Sequence, residues 1–361
     1  MNKDDRMYWV ALTMFRPFGA VRLAKLMHRF PTMEQAFHAS TNQLQEAGIE
    51  PELANRFIQE RTHIDPETLF QQLINHDVQV ITLKEERYPP LLKEIYDPPA
   101  VLFIRGSLPD PGKKYLAVVG SRKASTYGQR VTEDLITPIA RAGVVIVSGL
   151  AYGIDASAHD ATLRAQGCTV AVLGSGVDQD SIYPSRHRAL ASGIVSSGGA
   201  LISEFPPGTP PLKQHFPIRN RVIAGLCHGT LVIEATLKSG SLITARSALE
   251  SNREVYAVPG PIYSPLSEGP NNLIKTGAIP VTCPEDIFGI QNVSTPLKPL
   301  YQPTNEKEAA VFSHLSSQPI HLDELVRSTV LPTQTVISTI TLLEIKGVVR
   351  HEGGYFYTRI S

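Results

Sequence analysis

Cysteine is scarce. Three residues, Cys168, Cys227 and Cys283, occur in a chain of 361. An odd, widely spaced trio forms neither a disulfide framework nor a metal-binding spacing, so a reducing, cytoplasmic setting is expected. Excess charge of either sign is missing as well. Lys+Arg and Asp+Glu both total 34, so no global field gathers polyanions, and such a partner must meet a local basic patch. Apolar runs are short, and none reaches the length of a membrane span. The opening Met1-Asn-Lys-Asp-Asp-Arg6 leads into no apolar core of a secretory signal. The P-loop pattern Gly-x4-Gly-Lys-Ser/Thr does not occur. Gly174-Ser-Gly176 lacks the third glycine that would open a helix, which argues against a standard dinucleotide fingerprint.

What is present is an ordinary soluble composition, 42% hydrophobic and 19% charged, at a length suited to two or three domains. Residues 1–70 read as short helical hairpins, with turns at Pro17-Phe18-Gly19 and Ala47-Gly48. Residues 71–290 carry strand patterns at 78–83 and 101–104. Further strand patterns follow at 116–119, 144–149, 169–173, 200–205, 230–235 and 254–258. Helix patterns alternate with these at 126–141, 155–166, 186–192, 219–227 and 241–251. That alternation predicts an α/β, doubly wound parallel sheet with right-handed crossovers. Ligands of such sheets bind beyond the carboxyl ends of the strands. Residues 291–305, rich in Pro, Ser and Thr, read as a linker. Residues 306–361 give three helices, 309–315, 322–329 and 333–345, and a hairpin around Gly353-Gly354, which together predict a winged helix. Its third helix offers Thr, Gln and Ser but neither Lys nor Arg before Lys346. A weak DNA contact and a protein-docking role are both open.

Three segments after predicted strands are suited to anions. Gly120-Ser121-Arg122 joins a buried strand to a helix, which places free backbone N–H groups beside a permanently charged guanidinium. The stretch Pro210–Gly225 sets Lys213, His215, Arg219, Asn220 and Arg221 around Phe216. Its prolines predict an extended loop. Cations interleaved with a ring suit single-stranded nucleic acid: the charges follow phosphates while the ring stacks a base. A solvated loop with Phe216 tucked into the core is the competing reading. Lys238-Ser239-Gly240-Ser241 supplies hydroxyls and amides at a helix start, against the alternative of a plain capped helix. Asp155 and His159, four apart, suggest a metal pair, although a helix cap and a helix-face histidine are the commoner state. Adjacent Cys227 and His228 do not face each other.

Several stretches together resemble the DNA-processing protein A (DprA/Smf) family. They are Tyr88-Pro with Asp97–Gly106, Val118–Arg122, Ser148–His159, His215–Gly225 and Ser239–Thr244. The resemblance runs in order through the whole chain. It implies a SAM-like N-terminal domain, an extended Rossmann-like core and a winged-helix C-terminal domain. It also implies a non-enzymatic role without cofactor or metal: binding and protecting single-stranded DNA in natural transformation, loading the RecA recombinase, and forming a homodimer through the core. The single-strand site would use Gly120, Ser121, Arg122, Lys213 and stacking Phe216. Arg219, Asn220, Arg221 and Lys238, Ser239, Gly240, Ser241 would line it, with Arg186 as a further phosphate contact. The segment Gly225–Glu234 keeps Gly229-Thr230 and Glu234 of the loop used by LOG-type enzymes, without its Pro-Gly-Gly opening. A nucleoside-monophosphate phosphoribohydrolase is therefore the alternative.

Overall fold

A computed structural model describes residues 3–290, 301–316 and 318–359. The chain divides into two compact units, Met1–Val293 and Ser294–Ser361. The first ten residues of the expected linker, 291–300, lie outside the described residues.

The first unit is built on a nine-stranded sheet. In chain order its strands are β1 Gln79–Thr82, β2 Val101–Gly106, β3 Tyr115–Val119, β4 Val145–Ser148, β5 Thr169–Val172, β6 Ala200–Ser203, β7 Gly229–Val232, β8 Glu254–Ala257 and β9 Ile279–Pro280. The spatial order is β1-β2-β6-β5-β4-β3-β7-β8-β9. From β6 to β9 the pairs are parallel, while β1 and β2 add an antiparallel edge. Every residue of β3 to β7 is buried. That burial on both faces explains why these strands are continuous apolar runs rather than alternating ones. The chain passes outward from β3 to β6, then returns to start β7 on the other side of β3. This reversal makes a crevice at the carboxyl ends of β3 and β7.

Both faces are covered. Leu102, Ala117, Val145, Val147 and Val172 pack under Val222, Ile223, Ala245 and Ala248 of the helices His215–Gly225 and Ser241–Glu250. On the opposite face Leu116, Val118, Ile146 and Leu231 meet Ile136, Ile139, Ala158 and Ala161 of the helices Thr126–Arg141 and Ile154–Arg164. The N-terminal helices, from Lys3–Met14 to Pro66–Asn75, gather Trp9, Leu12, Phe15, Leu26 and Phe57. Their apolar cluster is continuous with Phe103, Ala171 and Leu201 of the sheet.

The second unit folds around Val311, Phe312, Leu325, Val336, Ile340 and Leu343. The helices Glu306–Ser313, Leu322–Thr329 and Thr333–Ile345 carry these residues, and strands β10 Ile320–His321, β11 Val349–Gly353 and β12 Phe356–Arg359 close the wing. Buried Glu308 fastens this unit. Its carboxylate accepts from Lys346 Nζ at 2.6 Å, Thr304 N at 2.9 Å and Thr304 Oγ1 at 2.7 Å. Among the described residues no helix is long and apolar enough to cross a membrane.

Candidate nucleic-acid interface

The Gly120–Arg122 turn leaves β3 at the crevice. Ser125 caps the helix Thr126–Arg141, its hydroxyl accepting from Gly128 N at 3.1 Å. Glu234, just past β7, holds that cap: its carboxylate accepts from Ser125 N at 2.9 Å and Ser125 Oγ at 2.5 Å. Glu234 is 3% exposed. It is thus engaged in holding the cap at the strand end. Ser121 is tied through its carbonyl to Ile154 N at 3.2 Å and through Oγ to Lys123 N at 3.1 Å. The backbone N–H groups of Ser121 and Arg122 have no acceptor among the described residues.

The segment expected to be an extended loop is helical from His215 onward. Pro217 sits in the first turn, where its missing N–H has no intrahelical partner to lose. The helix places Phe216 over Gly174 at the end of β5, where a Cβ would lie 3.1 Å from the ring. The Arg122 guanidinium carbon is 5.1 Å from the centre of that ring. Residues 122 and 216, far apart in sequence, thus form one cation–aromatic pair at the carboxyl ends of the strands. Arg122 is exposed and Phe216 half-buried. Lys213 is exposed one turn before Phe216, Arg186 is exposed in the loop after β5, and Lys238 is exposed beyond β7. None of these four cations has an ion pair or hydrogen bond to another described residue.

The other polar residues of the basic segment face inward. Arg219 is 4% exposed and donates through Nη1 to Val172 O at 2.5 Å. A Cβ at Gly149 would overlap its guanidinium, so glycine at that strand end makes room for it. Burial lowers the Arg219 pKa to about 10, opposed by the neighbouring Asp155 carboxylate. Asp155 accepts from Gly149 N at 3.1 Å and Ala151 N at 3.4 Å, and burial lifts its carboxyl. Arg221 donates to Asp97 O at 2.7 Å and to Glu204 Oε2 at 2.5 Å, and its Nε lies 3.1 Å from Asp97 Oδ2. Burial pushes Glu204 up to about 7, with Arg221 opposing. Asn220 donates to Gly240 O at 3.1 Å, which joins the Lys238–Ser241 turn to the helix. In that turn Ser239 Oγ and Ser241 Oγ pair at 2.7 Å, with Ser241 buried and Gly240 open to solvent. Expected as lining, Arg219, Asn220 and Arg221 instead form the layer beneath it.

His215 belongs to that layer too. Its Nδ1 lies 3.2 Å from Gly174 O, and its ring stacks on Phe205 with centres 4.1 Å apart. Burial, then the charge of Arg16, holds its pKa below the usual value. His159 is fully buried, with Nδ1 2.7 Å from Thr169 Oγ1, and burial lowers its pKa to about 3. It is a neutral packing group. No cluster of three or more potential metal ligands occurs among the described residues. Two exposed rings, Tyr152 and Tyr183, also stand at this rim. Tyr152 lies within the stretch Ser148–His159 and Tyr183 in the segment between the strand pattern 169–173 and Arg186, but a tyrosine after a strand carries no charge pattern that would single it out.

Comparison with known proteins matches this architecture. A family model for DNA recombination-mediator protein A covers residues 79–291, and one for the DprA winged helix domain covers residues 295–354. The chain is 41% identical to Protein Smf of Escherichia coli K12 over 98% of its own length and 96% of that protein. It is 46% identical to DNA processing protein DprA of Bacillus subtilis, over 58% of this chain and 70% of that one. The solved DprA from Streptococcus pneumoniae aligns with a TM-score of 0.65 at 34% identity, over 78% of this chain and 96% of that chain. DNA processing protein A from Helicobacter pylori, described by its single-stranded DNA binding mode, aligns with a TM-score of 0.51 at 27% identity. That alignment covers 58% of this chain and 93% of the other.

Proposed function

The chain belongs to the DNA recombination-mediator protein A (DprA/Smf) family, and from that premise we propose that it binds single-stranded DNA along the rim at the carboxyl ends of β3, β4 and β5. One observation carries the reading: the exposed Arg122 guanidinium 5.1 Å from the Phe216 ring, at the strand ends where the fold places ligands. The Ser121 and Arg122 amides and the guanidinium meet one phosphate, Phe216 stacks a base, and Lys213, Arg186 and Lys238 extend the track. Arg219, Asn220 and Arg221 support the site from below. The Helicobacter pylori relative, whose description names single-stranded DNA binding, supports the same reading.

On this view the protein acts in the cytoplasm as a homodimer, without cofactor or metal. It protects incoming DNA in natural transformation and passes it to RecA. The helical module 1–70, the core 71–290 and the winged helix 306–361 are its working parts. Fluorescence anisotropy with an oligo-dT over a range of salt tests the reading. Binding that weakens as salt rises supports it, and no binding at low salt contradicts it. The phosphoribohydrolase alternative predicts release of free base from AMP that is lost in Glu234→Gln. The engagement of Glu234 with Ser125 favours no release in either protein.

A further inference from the structure

Two tyrosines at the rim do nothing visible for the fold. Tyr183, in the loop after β5, is 47% exposed, and Tyr152, in the loop after β4, is 39% exposed. Neither hydroxyl has a hydrogen-bond partner among the described residues. By contrast, Tyr88 and Tyr115 donate to Pro99 O and Pro109 O, both at 2.8 Å.

Both rings are nevertheless held in place. The Tyr183 ring centre is 6.0 Å from that of Phe216, tilted by 48°. Tyr152 packs edge-on to His187, with centres 5.0 Å apart. His187 is itself anchored, its Nδ1 lying 2.8 Å from Leu150 O. The hydrogen bond from Ile154 N to Ser121 O, 3.2 Å, keeps the Tyr152 loop beside the Gly120–Arg122 turn. Strand order β5-β4-β3 sets the loops that carry Tyr183, Tyr152 and Arg122 side by side at the carboxyl ends of the sheet, and Phe216 reaches both Tyr183 and Arg122.

We infer that Tyr183 and Tyr152 are base-stacking positions that lengthen the single-strand site beyond Phe216; the inference rests on the single-stranded-DNA reading above. Braced, half-exposed rings lose little freedom on stacking, and any base offers a π-face, so these contacts are indifferent to sequence. The rings carry no charge and neutralise no phosphate. Their loss therefore lowers affinity without changing the salt dependence.

The test uses the full-length chain, an oligo-dT and an abasic strand of the same length, with anisotropy read at several salt concentrations. Tyr183→Leu and Tyr152→Leu should each bind oligo-dT about fivefold to tenfold more weakly than the parent, with an unchanged salt slope. Both should bind the abasic strand as the parent does. Tyr183→Phe and Tyr152→Phe, which keep the ring, should restore parental affinity and guard against a folding artefact. If the parent binds oligo-dT and the leucine variants match it, the stacking positions are wrong while the site stands. Phenylalanine variants as weak as the leucine ones, or a reduced salt slope, would also overturn the inference. A parent that fails to bind oligo-dT would remove the site and the stacking positions together.

Discussion

The rim of the sheet and the third helix of the C-terminal unit could each meet nucleic acid, and they are built in opposite ways. Near the carboxyl ends of the strands, Arg122, Lys213, Arg186 and Lys238 are exposed and without ion pairs, and Arg122 sits against a half-buried ring. The helix Thr333–Ile345 exposes Gln334, Ile337, Ser338, Thr341, Leu342 and Ile345, and carries no cation. The lysine that follows it, Lys346, is bonded at 2.6 Å to Glu308. A winged helix that reads a major groove does so with its third helix, and phosphate contacts need cations. On the proposed reading, the difference teaches that the recognition helix expected of a winged helix need not carry the affinity when it bears no cation, whereas a cation held against a ring at the strand ends can.

The comparison can be broken in stages. The largest effect is expected from removing both cations beside the ring. Arg122→Ala combined with Lys213→Ala should weaken oligo-dT binding by roughly thirtyfold or more at low salt, read by anisotropy. Phe216→Ala should cost about tenfold and leave the salt slope unaltered, since a ring releases no counterion. Arg221→Ala should act on stability instead. It leaves Glu204 without its cation and lowers unfolding free energy by about 3 kcal/mol, seen as a lower denaturation midpoint. A Glu204 carboxyl already pushed up to about 7 would then take up a proton. Smallest of all should be the effect of ending the chain at residue 300. Oligo-dT affinity should stay within about twofold of the parent, and a larger loss would return the winged helix to the DNA-binding surface.

Much of the architecture was legible because its signals are local. Buried strands such as Leu116–Val119 are apolar runs followed by Gly120, and the helix Thr126–Arg141 is stopped by Gly143. The doubly wound sheet, the helical N-terminus and the winged helix follow from that punctuation. The strand–glycine–helix turn with Arg122 was legible for the same reason. The fate of the basic stretch was not. Arg219 and Arg221 look like Lys213 in sequence, yet their directions depend on Val172 O, Asp97 and Glu204, groups brought near only by the fold. The prolines of 210–217 pointed to an extended loop, because a proline in a first helical turn and one in a loop read alike. Tyr152 and Tyr183 escaped notice because their neighbours, His187 and Phe216, come from other segments of the chain.

The most direct measurement is the slope of log affinity for oligo-dT against log salt, taken on the parent and on the Arg122/Lys213 double alanine variant. With four unpaired cations on the rim, the parent slope should be about −3, and the variant should lose roughly half of it. Equal slopes for the two proteins would contradict the account, because the strand would then be meeting its charge somewhere else.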